Sequence, residues 1–234
     1  MDINAFLDFS QLNSCTTNHD IVKLCNEALQ NNYHAICINS CYVPLAKQLL
    51  NKTSIKICST VSFPLGAMST QAKAFEARNA VEQGADEIEM VLNIGSLKSK
   101  SYLSLLKDII DVKLAINGKA LKVIIEISKL NKNEIIKACE ICMDAKVDYI
   151  KTSTGFSNSG ATFTAVKIIK KTVKDRVKIV ASGGIQDYET ALKYLQIGAD
   201  RIGASQEIKM TKAQLSADIY QNWNAKRENS FEKK

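Results

Sequence analysis

Along the chain, short apolar runs alternate with longer segments whose apolar residues recur at helical spacing. The runs fall at Phe6–Phe9, Ala35–Asn39, Ile55–Val61 and Glu87–Leu92, then at Leu121–Ile127, Tyr149–Lys151, Lys178–Ala181 and Arg201–Gly203. Their length and their Val and Ile content predict β-strands. The helical segments between and after them are Asp20–Gln30, Val43–Leu50, Thr70–Gln83, Tyr102–Ile116, Glu134–Asp144, Thr164–Val173, Tyr188–Ile197 and Ala213–Trp223. Boundary residues agree with this division. Ser69 or Thr70 can cap the third helix, Asn131 or Asn133 the fifth and Asp187 the seventh, while Gly84 and Gly198 follow the third and seventh.

Strand–helix alternation implies right-handed βαβ units and a parallel sheet. Eight units close into a (β/α)₈ barrel. An open doubly wound sheet is the alternative, and the lack of an early Gly-x-Gly-x-x-Gly turn argues against it. At 234 residues the chain fits one such barrel, over residues 1–224, followed by a charged tail at 225–234. No apolar run is long enough to span a membrane. Seven cysteines sit mostly within apolar runs, with no disulfide-framework spacing and no N-terminal signal segment. That pattern predicts a reducing, cytoplasmic setting. The net charge of +7 is scattered among acids, with no nucleic-acid motif, so it reads as a solvated surface.

In a barrel, function collects at the C-terminal strand ends. There the chain places Asp8 and Ser10, Cys37, Glu89, then Lys151-Thr152-Ser153-Thr154-Gly155, Ser182-Gly183-Gly184 and Gly203-Ala204-Ser205. Gly155, Gly183 and Gly184 let backbone N–H groups approach an anion, and the last barrel loops commonly hold a phosphate. A lysine ending a core-facing strand is out of place unless its charge is paired or its pKa is lowered. Desolvated, Lys151 could attack a carbonyl as a neutral amine and form a Schiff base, with Glu89 moving protons. The alternatives are a Lys151 on a solvated strand end and a Glu89 that merely pairs with Lys151 or Lys122. Metal and cofactor chemistry are not expected. His19 and His34 lie away from the active face, and Cys139 and Cys142 sit within a helix as small hydrophobes.

The segments Cys37-Ile-Asn-Ser-Cys-Tyr-Val-Pro44, Phe63-Pro-Leu-Gly66, Gly84-Ala-Asp-Glu-Ile-Glu-Met-Val91, Lys122-Val-Ile-Ile-Glu126, Lys151-Thr-Ser-Thr-Gly-Phe156, Ala181-Ser-Gly-Gly-Ile185 and Arg201-Ile-Gly-Ala-Ser205 resemble the deoxyribose-phosphate aldolase family, in order and over nearly the whole chain. The resemblance implies a class I aldolase that interconverts 2-deoxy-D-ribose 5-phosphate with glyceraldehyde 3-phosphate and acetaldehyde. It sets Lys151 at the Schiff-base position, and Gly155, Gly183, Gly184 and Ser205 at the phosphate. Cys37 falls on the acetaldehyde side, and a homodimer becomes an expectation. Two departures fall on the catalytic machinery. Glu89 stands where the family has aspartate, and Val180 where it has a second lysine. Lys178, two residues earlier on the same face, is the expected substitute, against the alternative of a lysine at the solvated bottom of the strand. Further departures are Asp8-Phe9-Ser10 for Asp-His-Thr, Ser40 for proline, Ile127-Ser128 for Thr-Gly and Gln206 for a phosphate-binding serine. A silent barrel that binds a sugar phosphate or a protein partner, and an aldolase with altered substrate, are the competing readings.

Overall fold

In a computed structural model, which describes residues 2–205, eight parallel strands close into a barrel in sequence order. They are β1 Leu7–Gln11, β2 Ala35–Ile38, β3 Lys56–Val61, β4 Glu87–Val91, β5 Ala120–Ile124, β6 Tyr149–Lys151, β7 Lys178–Ser182 and β8 Arg201–Ala204. β8 returns to β1 with Leu7 opposite Ile202 and Phe9 opposite Ala204. Outside the barrel lie α1 Asn18–Asn31, α2 Val43–Leu49, α3 Thr70–Glu82, α4 Ile94–Lys98, α5 Tyr102–Ala115, α6 Lys132–Asp144, α7 Phe163–Val173 and α8 Tyr188–Gln196. The expected helix at Ala213–Trp223, the tail at 225–234 and Gln206 lie outside the described residues.

The expected caps form. The Ser69 hydroxyl accepts from the Ala72 N–H, Asn131 and Glu134 make a reciprocal capping box, and Asp187 accepts from the Thr190 N–H. Three departures from the sequence reading are local. Ile3–Phe6 forms a 3₁₀ turn, so β1 starts one residue later than expected. α4 is a single extra turn after β4, capped by the Asn93 side chain and too short to show a helical period. β5 stops at Ile124 although its apolar run continues, because Glu126 takes a left-handed conformation, φ +52°, and turns the chain.

The two faces of the sheet divide the chemistry. Outward residues such as Ile36, Ile57, Ile88, Val123, Ile150 and Ile179 are buried with the helices in one apolar cluster. Alternate positions face inward. There the barrel carries Asp8, Glu87, Glu89, Lys122, Tyr149, Lys151 and Arg201, all buried. Barrel interiors are ordinarily filled by branched aliphatic side chains. This one is filled by charge. Outside the barrel, Lys73 of α3 is likewise fully buried against Asp108 of α5, at 2.6 Å.

Candidate active site

The interior charges form two connected groups. In the lower one, Lys122 Nζ lies 2.5 Å from Asp8 Oδ2 and 2.8 Å from Glu87 Oε2. Arg201 donates two hydrogen bonds to Glu87, at 2.8 and 3.0 Å, and one to the Tyr149 hydroxyl at 2.7 Å. Its Nη1 is also 3.4 Å from Asp8 Oδ1. Burial opposes the charge on Glu87, but Lys122 and Arg201 overcome it and hold the carboxyl down at about 2. Burial also works against the Lys122 ammonium, and Asp8 together with Glu87 holds its pKa well above an ordinary lysine's.

Above this base sits the second group. Lys151 Nζ donates to Glu89 Oε1 at 2.6 Å, with both side chains at most 1% exposed. The expectation that burial would keep Lys151 partly neutral is reversed. Burial does favour the neutral amine, and Lys122 adds like-charge repulsion. The adjacent Glu89 carboxylate outweighs both and raises the lysine above its ordinary value. The resting pair is an ammonium–carboxylate pair. Val180 pairs with Lys151 in register and is fully buried, so no cation is supplied from that position.

Over Lys151 opens a cavity of about 340 Å³, lined by the strand ends and loops of β1, β6, β7 and β8. Ser10, Gly155, Gly183, Gly184 and Ser205, expected at the substrate and its phosphate, all line it. Among the described residues no charged side chain lies in its walls, and the donors they offer an anion are backbone N–H, hydroxyl and amide groups. Two glycines shape it. Gly183, at φ +97°, leaves room for the loop at Gly160, whose Cα a Cβ would approach to 2.7 Å. Gly203 forms the floor, where a Cβ would meet Ser182 Oγ at 2.7 Å and Lys151 Cε at 3.4 Å. The missing side chain leaves the lysine stem against the Gly203 floor, just behind the residues that line the cavity.

Other predicted residues are placed differently. Asp8 is committed to Lys122 and Arg201 in the lower group rather than to the cavity. The Thr152 hydroxyl donates to the Ser182 carbonyl at 2.9 Å and accepts from the Ser182 N–H at 3.0 Å, so it ties β6 to β7. Cys37 is fully buried beside Cys58, with Leu12 and Phe63 packed against the pair. Lys178 is not brought to the site. It is exposed at the entry end of β7, with Nζ 5.5 Å from the centroid of Tyr149. Strand periodicity put it correctly on the inner face but did not fix its height. Lys178 pairs with Tyr149 in register, one inward layer below the Lys151–Val180 pair.

Sequence reasoning missed Glu126 as a site-building residue. Its Oε2 accepts from the Thr154 hydroxyl at 2.5 Å and from the Thr154 N–H at 3.2 Å, fixing the loop that carries Gly155. The sequence placed it near the end of the fifth apolar run and within the resembling segment Lys122-Val-Ile-Ile-Glu126, but gave it no partner. Phe156 and Phe63 meet edge to face across the mouth, with centroids 5.2 Å apart.

Residues 5–207 match the family described as DeoC/LacD family aldolase. The deoxyribose-phosphate aldolase of Finegoldia magna is 50% identical over 212 residues, covering 91% of this chain and 100% of its own length. Among solved structures, an aldolase designated QR15 superposes with a TM-score of 0.88 at 35% identity, covering 94% of this chain and 99% of its own. The tetrameric deoxyribose phosphate aldolase of Aeropyrum pernix gives a TM-score of 0.80 at 28% identity, covering 87% of this chain and 86% of its own.

Proposed function

Because the chain belongs to the DeoC/LacD family of aldolases, we propose that its barrel mouth is a lysine-dependent aldolase site whose substrate is 2-deoxy-D-ribose 5-phosphate. The observation that carries this reading is Lys151, buried and ion-paired to Glu89 under a glycine-lined cavity. The substrate phosphate fits the cavity, held by N–H groups of the Gly155 and Gly183–Gly184 loops and by hydroxyls such as those of Ser10 and Ser205. That anchoring directs the aldehyde end toward the Gly203 floor and Lys151.

The proton starts on the lysine. Across the 2.6 Å hydrogen bond Glu89 takes it, giving a neutral amine and a carboxylic acid. The amine attacks the C1 aldehyde to form a carbinolamine. Glu89 protonates the departing hydroxyl, water leaves, and an iminium ion forms. The iminium accepts the electron pair of the C2–C3 bond as the C3 hydroxyl loses its proton to the Glu89 carboxylate. That step releases glyceraldehyde 3-phosphate and leaves an enamine on Lys151. Protonation at C2 and addition of water then free acetaldehyde and regenerate the amine. One carboxylate serves the successive steps because it alternates between base and acid.

The Asp8–Lys122–Glu87–Arg201 group touches none of these atoms. It acts as a rigid, charge-balanced base, two carboxylates against two cations, that fixes Lys122 beneath the pair. The seven cysteines are all free, which suits a reducing, cytoplasmic setting. Among the described residues no helix is long and apolar enough to cross a membrane.

The test is reductive trapping. The protein is incubated with deoxyribose 5-phosphate or with acetaldehyde, reduced with borohydride, digested and mapped by mass spectrometry. An adduct on Lys151 is the expected result. A folded protein that gives none overturns the Schiff-base reading. Phosphate-dependent thermal stabilisation of that same protein would then favour a barrel that only binds.

A further inference from the structure

The barrel holds a second constellation, which includes a thiol that the aldolase chemistry leaves unused. Cys37 of β2 and Cys58 of β3 are direct partners in the parallel register. They therefore project to the same face, and both are fully buried. Glu89 lies on the next strand, β4, opposite Thr60. The two Sγ atoms and a Glu89 carboxylate oxygen all lie within 4.8 Å of one another. A separate observation concerns the same carboxylate. Oε1 accepts from Lys151, whereas Oε2 is buried with no hydrogen-bond partner among the described residues. A buried carboxylate oxygen without a donor is costly, and a cation satisfies it as well as a proton donor does.

We propose that Cys37, Cys58 and Glu89 form a binding site for a thiophilic divalent cation, of which Zn²⁺ is the type. Zinc takes thiolate sulfur at about 2.3 Å and carboxylate oxygen at about 2.0–2.2 Å, so its donors stand roughly 3.5–3.8 Å apart in a tetrahedron. Side-chain shifts of about an ångström bring the present arrangement to that geometry. Two sulfurs and one oxygen select zinc, cadmium or cobalt over magnesium or calcium, which require oxygen shells. Three protein donors leave the fourth position to water.

Uptake balances simply. Each thiol gives its proton to solvent as its Zn–S bond forms, so two protons leave for each Zn²⁺ bound and the charge of the site is unchanged. A cation seated there competes with Lys151 for Glu89. Bound metal consequently blocks the site, and a chelator restores it. The inference does not rest on the aldolase reading, since the donors and the orphaned oxygen stand without it.

Cobalt is the probe, added to the full-length, fully reduced protein and followed by absorption. The expected result is a near-ultraviolet thiolate-to-cobalt charge-transfer band with visible bands of tetrahedral intensity, saturating at one equivalent and displaced by Zn²⁺. Cys58→Ala should reduce the charge-transfer intensity by roughly half and weaken binding by more than about tenfold. The double variant Cys15→Ser/Cys41→Ser, which removes the two exposed thiols, should keep the band. If Cys58→Ala does not fold, Cys58→Ser, with its nearly isosteric hydroxyl, answers the same question. No charge-transfer band in the parent overturns the proposal. So does a band that Cys58 substitution leaves unchanged. The readout is spectroscopic, so a protein that fails every aldolase assay still decides the matter.

Discussion

Replacing Glu89 by glutamine isolates the force that keeps Lys151 charged. The side chains differ by an oxygen for a nitrogen, so packing is preserved while the negative charge is lost. In the parent the carboxylate lies 2.6 Å from Nζ. At an effective dielectric constant of about 20, the attraction at that distance is about 6 kcal/mol. Without it, burial and the neighbouring Lys122 ammonium both favour the neutral amine. Structural relaxation and water entry recover part of the loss. If only about 1.4 kcal/mol remains uncompensated, the neutral fraction at a fixed pH still rises tenfold. The assay is cyanoborohydride trapping of acetaldehyde across pH 6 to 11, each variant fitted to a single titration and normalised to its fitted plateau. Normalisation separates the protonation of Lys151 from the loss of Glu89 as an acid. The half-plateau pH of Glu89→Gln should fall below the parent's, with at least about a tenfold larger fraction of plateau at pH 7.5. Steady-state cleavage should fall instead by about 10²–10⁴, because the proton carrier is gone. A half-plateau pH that stays in place or moves upward would refute the ion-pair argument.

Three further outcomes follow from the same structure. Lys178→Ala, at the exposed entry end of β7, should leave kcat/KM within about twofold of the parent, since substitutions away from a site cost little; a loss beyond tenfold in the cleavage assay would return Lys178 to the mechanism. Gly183→Ala strains a residue at φ +97° and drives its Cβ into the backbone of Gly160, so Tm should fall and KM for the phosphorylated substrate should rise with kcat less affected. Acid should expose the lower charge group. Glu87 is held at about 2, below the ordinary value of 4.5, so its contribution is complete above about pH 4.5 and is lost as pH falls toward 2. That difference is worth about 3 kcal/mol. Chemical denaturation of Glu87→Gln should accordingly show a shallower loss of stability than the parent between pH 5 and 3, and equal slopes would remove Glu87 as the cause.

Much of the molecule was legible in its sequence, for a physical reason. Alternation of Val- and Ile-rich runs with helical segments is set by local hydrogen bonding and by which face each element must bury. It is repeated at every unit, and so it determined eight strands, their order and the strand ends that carry Ser10, Lys151, Gly183 and Ser205. Glycine spacing marked the loops that line the cavity, because backbone approach to a ligand needs positions without a Cβ. What the sequence could not determine is who meets whom inside the barrel. Lys151 and Glu89 are 62 residues apart, Lys122 and Asp8 114, Arg201 and Asp8 193. A period of two says that these side chains face inward, but their height along the axis depends on how the strands are staggered when the sheet closes. That closure decided that Lys178 stays at the bottom, that Asp8 turns to Lys122 instead of the cavity, and that Glu89 reaches Lys151. It also decided the protonation of the lysine. Its place at the end of a core-facing strand implied that burial could strip its proton, with pairing to Glu89 left as the alternative, and only the tertiary structure showed the carboxylate close enough to keep it there.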